Sequence, residues 1–291
     1  MLARLKGLEL KARLIVEGYV AGMHRSPYHG FSVEFAEHRE YAPGDDLRYV
    51  DWKVFAKSDR YYLKQYEEET NFSCYLLLDT SESMRYRSEH AAVSKLEYAQ
   101  YVAAAIAYLI VQQRDAVGLA TFDTGVNHFV SCSNQPSRLK QLFHTMDETA
   151  PAGETAIGPI LHDLAGRIKR RGLVILISDM FDDLDSLTLG LKHFRHRRHD
   201  VSLMQVIDPA EQDFPFDHPT RFKGLEGEPE QLTEPRALKR AYHDEFERFL
   251  RQLRRSCRDL DMEHVLLRTD QPLDLALKSF LTRRLRRTGG V

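Results

Sequence analysis

Short apolar runs alternate with helical patterns over most of the chain after residue 70. Residues 72–78 and 173–177 are almost entirely apolar, which is typical of strands covered on both faces of a sheet. Strands are predicted at residues 72–78, 116–122, 126–130, 173–177, 201–207 and 262–267. Helices are predicted at residues 95–113, 136–148, 157–170, 184–197, 237–260 and 273–286. This alternation predicts an α/β fold: a doubly wound, mostly parallel sheet with helices on both faces.

The first 70 residues follow a different pattern. Apolar residues at three- and four-residue spacing predict an amphipathic helix over residues 2–20, ending near Gly18 or Gly22. Residues 24–70 mix acidic, basic and aromatic residues, and Pro43-Gly44-Asp45-Asp46 is a strong turn signal. We therefore predict an N-terminal helix and charged segment over residues 1–70 and an α/β domain over residues 71–291. The five prolines of residues 209–235 predict a surface excursion within that domain.

Composition excludes several classes of protein. A hydrophobic content of 43% and a charged content of 29% are typical of a globular chain, and the net charge of -2 gives no general attraction to nucleic acid. Three widely separated cysteines form no disulfide framework or zinc motif. The longest apolar run has 11 residues (101–111), whereas a membrane span needs about 20. With no secretory pattern at the N-terminus, we expect a cytoplasmic protein without a membrane span.

Oxygen-bearing side chains follow two of the predicted strands. Asp79, Ser81 and Ser83 come after the first, and Ser178-Asp179 comes after residues 173–177. In open parallel sheets, ligands bind beyond the carboxyl ends of the strands, and Thr155 lies in a loop that could reach the same edge. Carboxylates and hydroxyls suit Mg²⁺ or Mn²⁺ rather than zinc. Taken alone, however, the Asp-x-Ser pattern is also typical of a helix N-cap.

Together these motifs resemble a known family. Asp79, Ser81, Ser83, Thr155 and Asp179 resemble the metal-ion-dependent adhesion site of von Willebrand factor A domains. Residues 34–53, with the sequence EFAEHREYAPGDDLRYVDWK, resemble the signature of the bacterial domain of unknown function 58 family. Its members are often encoded beside MoxR-type AAA+ ATPases.

The resemblance implies a von Willebrand factor A-like fold with a metal ion between these loops. Ser81, Ser83 and Thr155 would then bind the ion through their hydroxyls, and Asp79 and Asp179 directly or through water. An acidic side chain of a partner protein would complete the coordination. The partner implied by the family is a MoxR-type AAA+ ATPase.

Enzymatic alternatives have less support. A phosphohydrolase using Asp79 as nucleophile would normally carry a second carboxylate two residues later, where this chain has Ser81. The chain contains neither a phosphate-binding P-loop nor a G-x-S-x-G elbow. The basic clusters at residues 251–258 and 283–287 lack the interleaved aromatic residues that stack on bases. We therefore expect a non-catalytic, metal-dependent protein-interaction module, an adaptor or chaperone-complex component. The alternatives are a phosphohydrolase and a structural module with a vestigial metal site.

Overall fold

The computed structural model describes residues 7–23, 38–40, 62–64, 73–153, 156–225 and 230–288. The chain separates into two compact units, a larger one of residues 1–22 and 72–291 and a smaller one of residues 23–71. The described residues of the smaller unit form an antiparallel strand pair, β1 (His38–Glu40) with β2 (Tyr62–Lys64). The rest of the family-like signature and the turn at Pro43-Gly44 lie outside the described residues.

The described elements of the larger unit reproduce the predicted alternation. Its strands are β3 (Ser73–Asp79), β4 (Ala116–Phe122), β5 (Val126–Ser133), β6 (Leu173–Ser178), β7 (Asp200–Ile207), β8 (Thr220–Phe222), β9 (Gln231–Thr233) and β10 (Glu263–Arg268). Its helices are α1 (Leu8–Met23), α2 (Lys95–Gln112), α3 (Pro136–Glu148), α4 (Ile157–Arg167), α5 (Leu184–His196), α6 (Pro209–Asp213), α7 (Pro235–Asp259) and α8 (Leu273–Thr288).

One sheet organises the larger unit. Its strand order is β10-β7-β6-β3-β4-β5, and every neighbouring pair is parallel except β4 with β5. The chain runs from β3 outward to β4 and β5 and then returns to β6 on the other side of β3. The direction of winding therefore changes between β3 and β6, and this is the position at which open α/β sheets bind ligands.

Helices cover both faces of this sheet, so the predicted fold class is confirmed. Alternate residues of β3 face opposite sides: Leu76 and Leu78 pack with α1, α2, α3 and α8, whereas Tyr75 and Leu77 pack with α4, α5 and α7. Burial on both faces explains why the interiors of β3 and β6 are apolar. The buried residues Leu8 and Ala12 place α1 in the first of these cores.

The ends of α1 and α4 differ from the predicted boundaries. Helix α1 continues through Gly18 and Gly22 to Met23, because glycine in a helix costs only about 1 kcal/mol and does not by itself end it. Residues 2–6 of its predicted start lie outside the described residues. Helix α4 ends at Arg167 rather than at residue 170.

The Pro-rich excursion contains more structure than its prolines indicated. It begins with α6, whose Pro209 occupies the first helical position, where its missing N–H costs nothing. The antiparallel pair of β8 and β9 follows. Phe214, directly after α6, is only 6% exposed and stacks on Tyr242 of α7, with ring centroids 4.5 Å apart. The excursion therefore contributes to a packed layer over α7.

No helix within the described ranges is both long enough and apolar enough to cross a membrane.

Candidate metal centre and interaction surface

The two predicted carboxylates meet where the winding of the sheet changes direction. Asp79 is the last residue of β3, and Asp179 directly follows β6. The side chains of both residues are buried, with relative exposures of 0% and 1%. Parallel pairing of β3 with β6 brings these strand ends together, so residues 100 positions apart in sequence share one site.

Asp79 connects the two strand ends through hydrogen bonds. Its Oδ2 accepts a bond of 2.6 Å from Ser178 Oγ, and its Oδ1 accepts one of 2.9 Å from the backbone N–H of Ser81. The Oγ atoms of Ser81 and Ser83 are 3.0 Å apart at the start of a short 3-10 helix, Glu82–Arg85. Three of the predicted ligands therefore lie in one hydrogen-bonded group.

Two hydrogen bonds hold Asp179 in place after β6. Its Oδ1 accepts a bond of 3.1 Å from the N–H of Phe181, and its backbone carbonyl accepts one of 2.9 Å from Gln205 Nε2. The next residue, Met180, has a left-handed conformation with φ of 63°. This conformation is uncommon for a residue other than glycine, and it turns the chain sharply after β6.

Thr155, the remaining predicted ligand, lies outside the described residues. The loop that precedes it is attached to the Asp79–Ser83 loop by two backbone hydrogen bonds. The N–H of Glu82 donates to the carbonyl of Gly153 at 2.9 Å, and the N–H of Ala152 donates to the carbonyl of Thr80 at 3.0 Å. The described end of this loop, at Gly153, is therefore held beside the Asp79–Ser83 loop.

A buried lysine that the sequence reasoning missed pairs with Asp179. Lys95, the first residue of α2, is 1% exposed, and its Nζ lies 2.7 Å from Asp179 Oδ2 and 2.6 Å from Glu211 Oε1. We call these three residues the Lys95 triad. Burial alone lowers the pKa of a lysine, but the two carboxylates outweigh it and raise the pKa of Lys95. The two carboxylates therefore hold the side chain in its charged form.

Glu211 is positioned by the run Asp208-Pro209-Ala210-Glu211. The Asp208 side chain accepts a bond from the N–H of Ala210 at 2.8 Å, while Glu211 Oε2 accepts one from the N–H of Asp208 at 2.7 Å. This capping box leaves the other carboxylate oxygen of Glu211 for Lys95. An Asp-x-x-Glu run at a strand end is the sequence signal that could have identified Glu211. Lys95, directly after a Ser94 N-cap, gave no such signal.

The electrostatics of Asp79 favour a bound cation. Burial and the neighbouring Asp179 carboxylate raise the pKa of Asp79, against the lowering effect of its hydrogen bonds from Ser178 and Ser81. Burial likewise raises the pKa of Glu211, which Lys95 opposes. A cation beside Asp79 would relieve this repulsion, because an opposite charge stabilises the ionised form.

The donor set fits a hard cation such as Mg²⁺ or Mn²⁺. Carboxylate and hydroxyl oxygens of Asp79, Ser81 and Ser83 are grouped, with Asp179 joined to them through Ser178 and through its effect on Asp79. In the part of the chain that the structure describes, no three side chains of His, Cys, Asp or Glu form a metal-binding group. Such a cation would therefore depend on serine hydroxyls, and it would share Asp179 with Lys95.

The same geometry gives little support to a phosphoaspartate mechanism. Asp79 has no exposed surface, and both of its carboxylate oxygens accept hydrogen bonds. A nucleophile must reach its substrate with a free oxygen. The residue two positions later is Ser81, which cannot act as the second carboxylate of that chemistry.

An apolar cavity of about 580 Å³ adjoins the candidate metal centre. Ser83, Lys95 and Glu211 form part of its wall, and the remainder is mostly apolar. The apolar and aromatic lining comprises Tyr86, Phe181, Ala210, Phe214, Phe216, Phe222, Leu225, Leu238, Ala241 and Tyr242. The Pro-rich excursion and α7 supply most of this lining, so the excursion forms one side of the cavity.

Comparison with known proteins gives a family and several relatives. The model of the family described as "Protein of unknown function DUF58" matches residues 37–255. The uncharacterized proteins Mb1516 of Mycobacterium bovis and Rv1480 of Mycobacterium tuberculosis are each 28% identical to this chain over 221 residues. The aligned region covers 73% of this chain and 67% of each relative.

Two solved structures are similar in part. The conserved hypothetical protein BatB from Bacteroides thetaiotaomicron has a TM-score of 0.48 and 15% identity, covering 74% of this chain and 99% of its own. The SpRpn10 VWA domain has a TM-score of 0.43 and 13% identity, covering 72% of this chain and 94% of its own.

Proposed function

Because this chain belongs to the DUF58 family, and because its sheet joins two oxygen-rich strand ends, we propose that it is a non-catalytic, divalent-cation-dependent protein-interaction module. The observation that carries the proposal is the hydrogen bond from Ser178 Oγ to Asp79 Oδ2, which joins the ends of β6 and β3. It places carboxylates and serine hydroxyls in one group at the position where α/β sheets bind ligands.

In this proposal, Asp79, Ser81 and Ser83 hold Mg²⁺ or Mn²⁺, together with Thr155 and Asp179. A bound cation would present an open coordination position to an acidic side chain of a partner protein. Asp79 and Asp179 carry two negative charges, which balance a divalent ion and leave it able to attract a third carboxylate. The chain thereby selects an acidic residue on its partner.

The apolar cavity extends this surface. Since Ser83 belongs both to the cavity wall and to the candidate ligands, a partner residue at the metal would place its neighbours over the cavity. We propose that the partner segment carries a bulky apolar residue next to its acidic residue. Its apolar side chain would contact the aromatic lining, including Phe216 and Phe222, while the acidic residue sets the orientation.

The partner we propose is a MoxR-type AAA+ ATPase, and this choice depends on the family resemblance. The chain itself has no phosphate-binding loop, so ATP hydrolysis belongs to the partner in this scheme. The module would act as an adaptor or chaperone-complex component. A cytoplasmic location is part of the proposal, and it agrees with the absence of a disulfide among Cys74, Cys132 and Cys257.

Binding of the purified MoxR-type ATPase of the same genome tests the proposal. Affinity is measured by surface plasmon resonance in MgCl₂ and in EDTA for the unmodified protein, Asp79→Asn and the exposed-site control Asp147→Asn. We expect Mg²⁺-dependent binding that Asp79→Asn loses and Asp147→Asn retains. Equal affinity in MgCl₂ and EDTA would refute the cation dependence.

A further inference from the structure

The Lys95 triad contains an internal cation beside the proposed metal position. The ammonium of Lys95 contacts one oxygen of Asp179 at 2.7 Å and one oxygen of Glu211 at 2.6 Å. The other oxygen of Asp179 accepts the N–H of Phe181. Both oxygens of Asp179 therefore have a partner within the chain before any metal ion binds.

The position of Lys95 is not explained by the stability of its helix. It is the first residue of α2, where the helix macrodipole disfavours a positive charge. Ser94 and Glu97 already cap this end through a capping box. The side chain is nevertheless buried beside the rings of Phe181 and Tyr86, with Nζ 5.3 and 6.0 Å from their centroids. What stabilises the ammonium there is its contact with the two carboxylates.

The ammonium of Lys95 also changes the net charge that a divalent ion would meet at this site. With all three carboxyl groups ionised, as a bound cation would favour, Asp79, Asp179 and Glu211 carry three negative charges. Lys95 carries one positive charge, so the group then has a formal net charge of -2. One divalent cation would balance it. The lysine already neutralises part of the charge that would otherwise attract the ion, and it does so directly on Asp179.

We propose that Lys95 is a resident cation that competes with the divalent ion for Asp179, weakening metal binding while keeping the metal-free site folded. This inference depends on the proposed metal site. With Lys95 paired to Asp179, the metal-free state is a stable folded form of the protein. The competition by Lys95 then lowers the affinity of the site for the divalent ion.

A double substitution removes the ammonium from Asp179 without changing the net charge of Asp79, Asp179, Glu211 and Lys95 taken together. Lys95→Met with Glu211→Gln removes one positive and one negative charge, so the group keeps its formal charge of -2 through Asp79 and Asp179. The methionine side chain suits a pocket that contains Phe181 and Tyr86. Lys140→Met with Glu148→Gln, at two exposed positions of α3, is the control with the same chemical change.

Isothermal titration calorimetry with MgCl₂ compares the unmodified protein, the two double variants and the single variant Glu211→Gln. Their metal-free melting temperatures are measured in EDTA. We expect the Lys95→Met and Glu211→Gln double variant to bind Mg²⁺ at least about tenfold more tightly than the unmodified protein. The Lys140 control should bind like the unmodified protein. The single variant Glu211→Gln, which keeps the ammonium on Asp179 and lowers the negative charge, should bind Mg²⁺ more weakly.

The outcomes distinguish this inference from the proposed function. Equal Mg²⁺ affinity in the unmodified protein and the double variant would refute competition by Lys95 and leave the metal site standing. Absence of Mg²⁺ binding in every variant would refute the metal site and this inference together.

Discussion

The ammonium nitrogen of Lys95 lies 2.7 Å from Oδ2 of Asp179, although 84 residues separate them in the sequence. Both side chains are at most 2% exposed. A buried ion pair can contribute little net stability, yet removing one partner is costly because an uncompensated charge stays buried. The stability of the metal-free protein therefore depends on this contact.

Lys95→Met is expected to lower the free energy of unfolding of the metal-free protein by about 3–5 kcal/mol, since Asp179 and Glu211 would lose their shared cation. Urea denaturation in EDTA measures the change. The exposed-site control Lys140→Met should stay within about 0.5 kcal/mol of the unmodified protein. Equal losses in the two variants would show that Lys95 has no special role.

Close contact between α4 and α5 predicts the effect of a glycine substitution. A Cβ atom at Gly158 would lie 2.1 Å from Ser186 Oγ and 2.6 Å from its carbonyl oxygen. We expect Gly158→Ala to destabilise the protein by about 1–3 kcal/mol through overpacking. Thermal or urea denaturation measures it.

Gly166 in the same helix is the matched control. A Cβ atom there meets no atom of the described residues within 4 Å, so Gly166→Ala should be neutral or stabilise the helix by about 0.5–1 kcal/mol. If Gly158→Ala were as well tolerated as Gly166→Ala, the described approach of the two helices would be wrong.

His199 predicts a pH dependence outside the candidate metal centre. It is 2% exposed, and its Nδ1 has no hydrogen-bond partner among the residues that the structure describes. Burial lowers the pKa of His199. Its hydrogen bonds with the backbone of Gly172 and Ile168 oppose this effect and raise the pKa. The folded state therefore favours the neutral ring. This contribution to stability is complete above the unfolded pKa of about 6.5 and is lost as the pH falls toward the lower folded pKa.

Melting temperatures between pH 7.5 and 5.5 test this sign. We expect the decrease on acidification to be smaller in His199→Gln, which cannot titrate, than in the unmodified protein. His218→Gln, at an exposed position, should leave the pH dependence unchanged. A steeper decrease in His199→Gln would contradict the assignment.

Leu225 at the cavity tests the apolar part of the interaction surface. It is 40% exposed and lines the cavity, so Leu225→Glu should weaken binding of the ATPase by at least about fivefold without lowering the melting temperature. Leu189→Glu, at a 59% exposed leucine of α5 outside this lining, should bind normally. Equal affinity of both variants would show that the partner does not use the cavity.

Much of the fold could be predicted from local pattern, because strands buried on both faces leave a continuous apolar run. This is why β3 and β6 were predicted nearly to the residue. The glycines of α1 misled the prediction, since tertiary packing of Leu8 and Ala12 outweighs a weak local propensity.

The candidate site was only partly predictable, for a different reason. The ends of β3 and β6 identify Asp79 and Asp179 because the carboxyl ends of parallel strands share one edge. The ion pair of Lys95 with Glu211 joins residues 116 positions apart, and no periodicity signals such a contact. The prolines near Glu211 also indicated surface rather than core, whereas Pro209 and Ala210 are buried.

The most direct test of the account is a crystal of the protein soaked in MnCl₂, with anomalous diffraction recorded at an energy above the manganese absorption edge. We expect one strong anomalous peak among the oxygens of Asp79, Ser81 and Ser83, absent from crystals of Asp79→Asn. Clear electron density for Asp79, Ser81 and Ser83 without an anomalous peak at their oxygens would contradict the account. The protein would then be a structural module with a vestigial metal site.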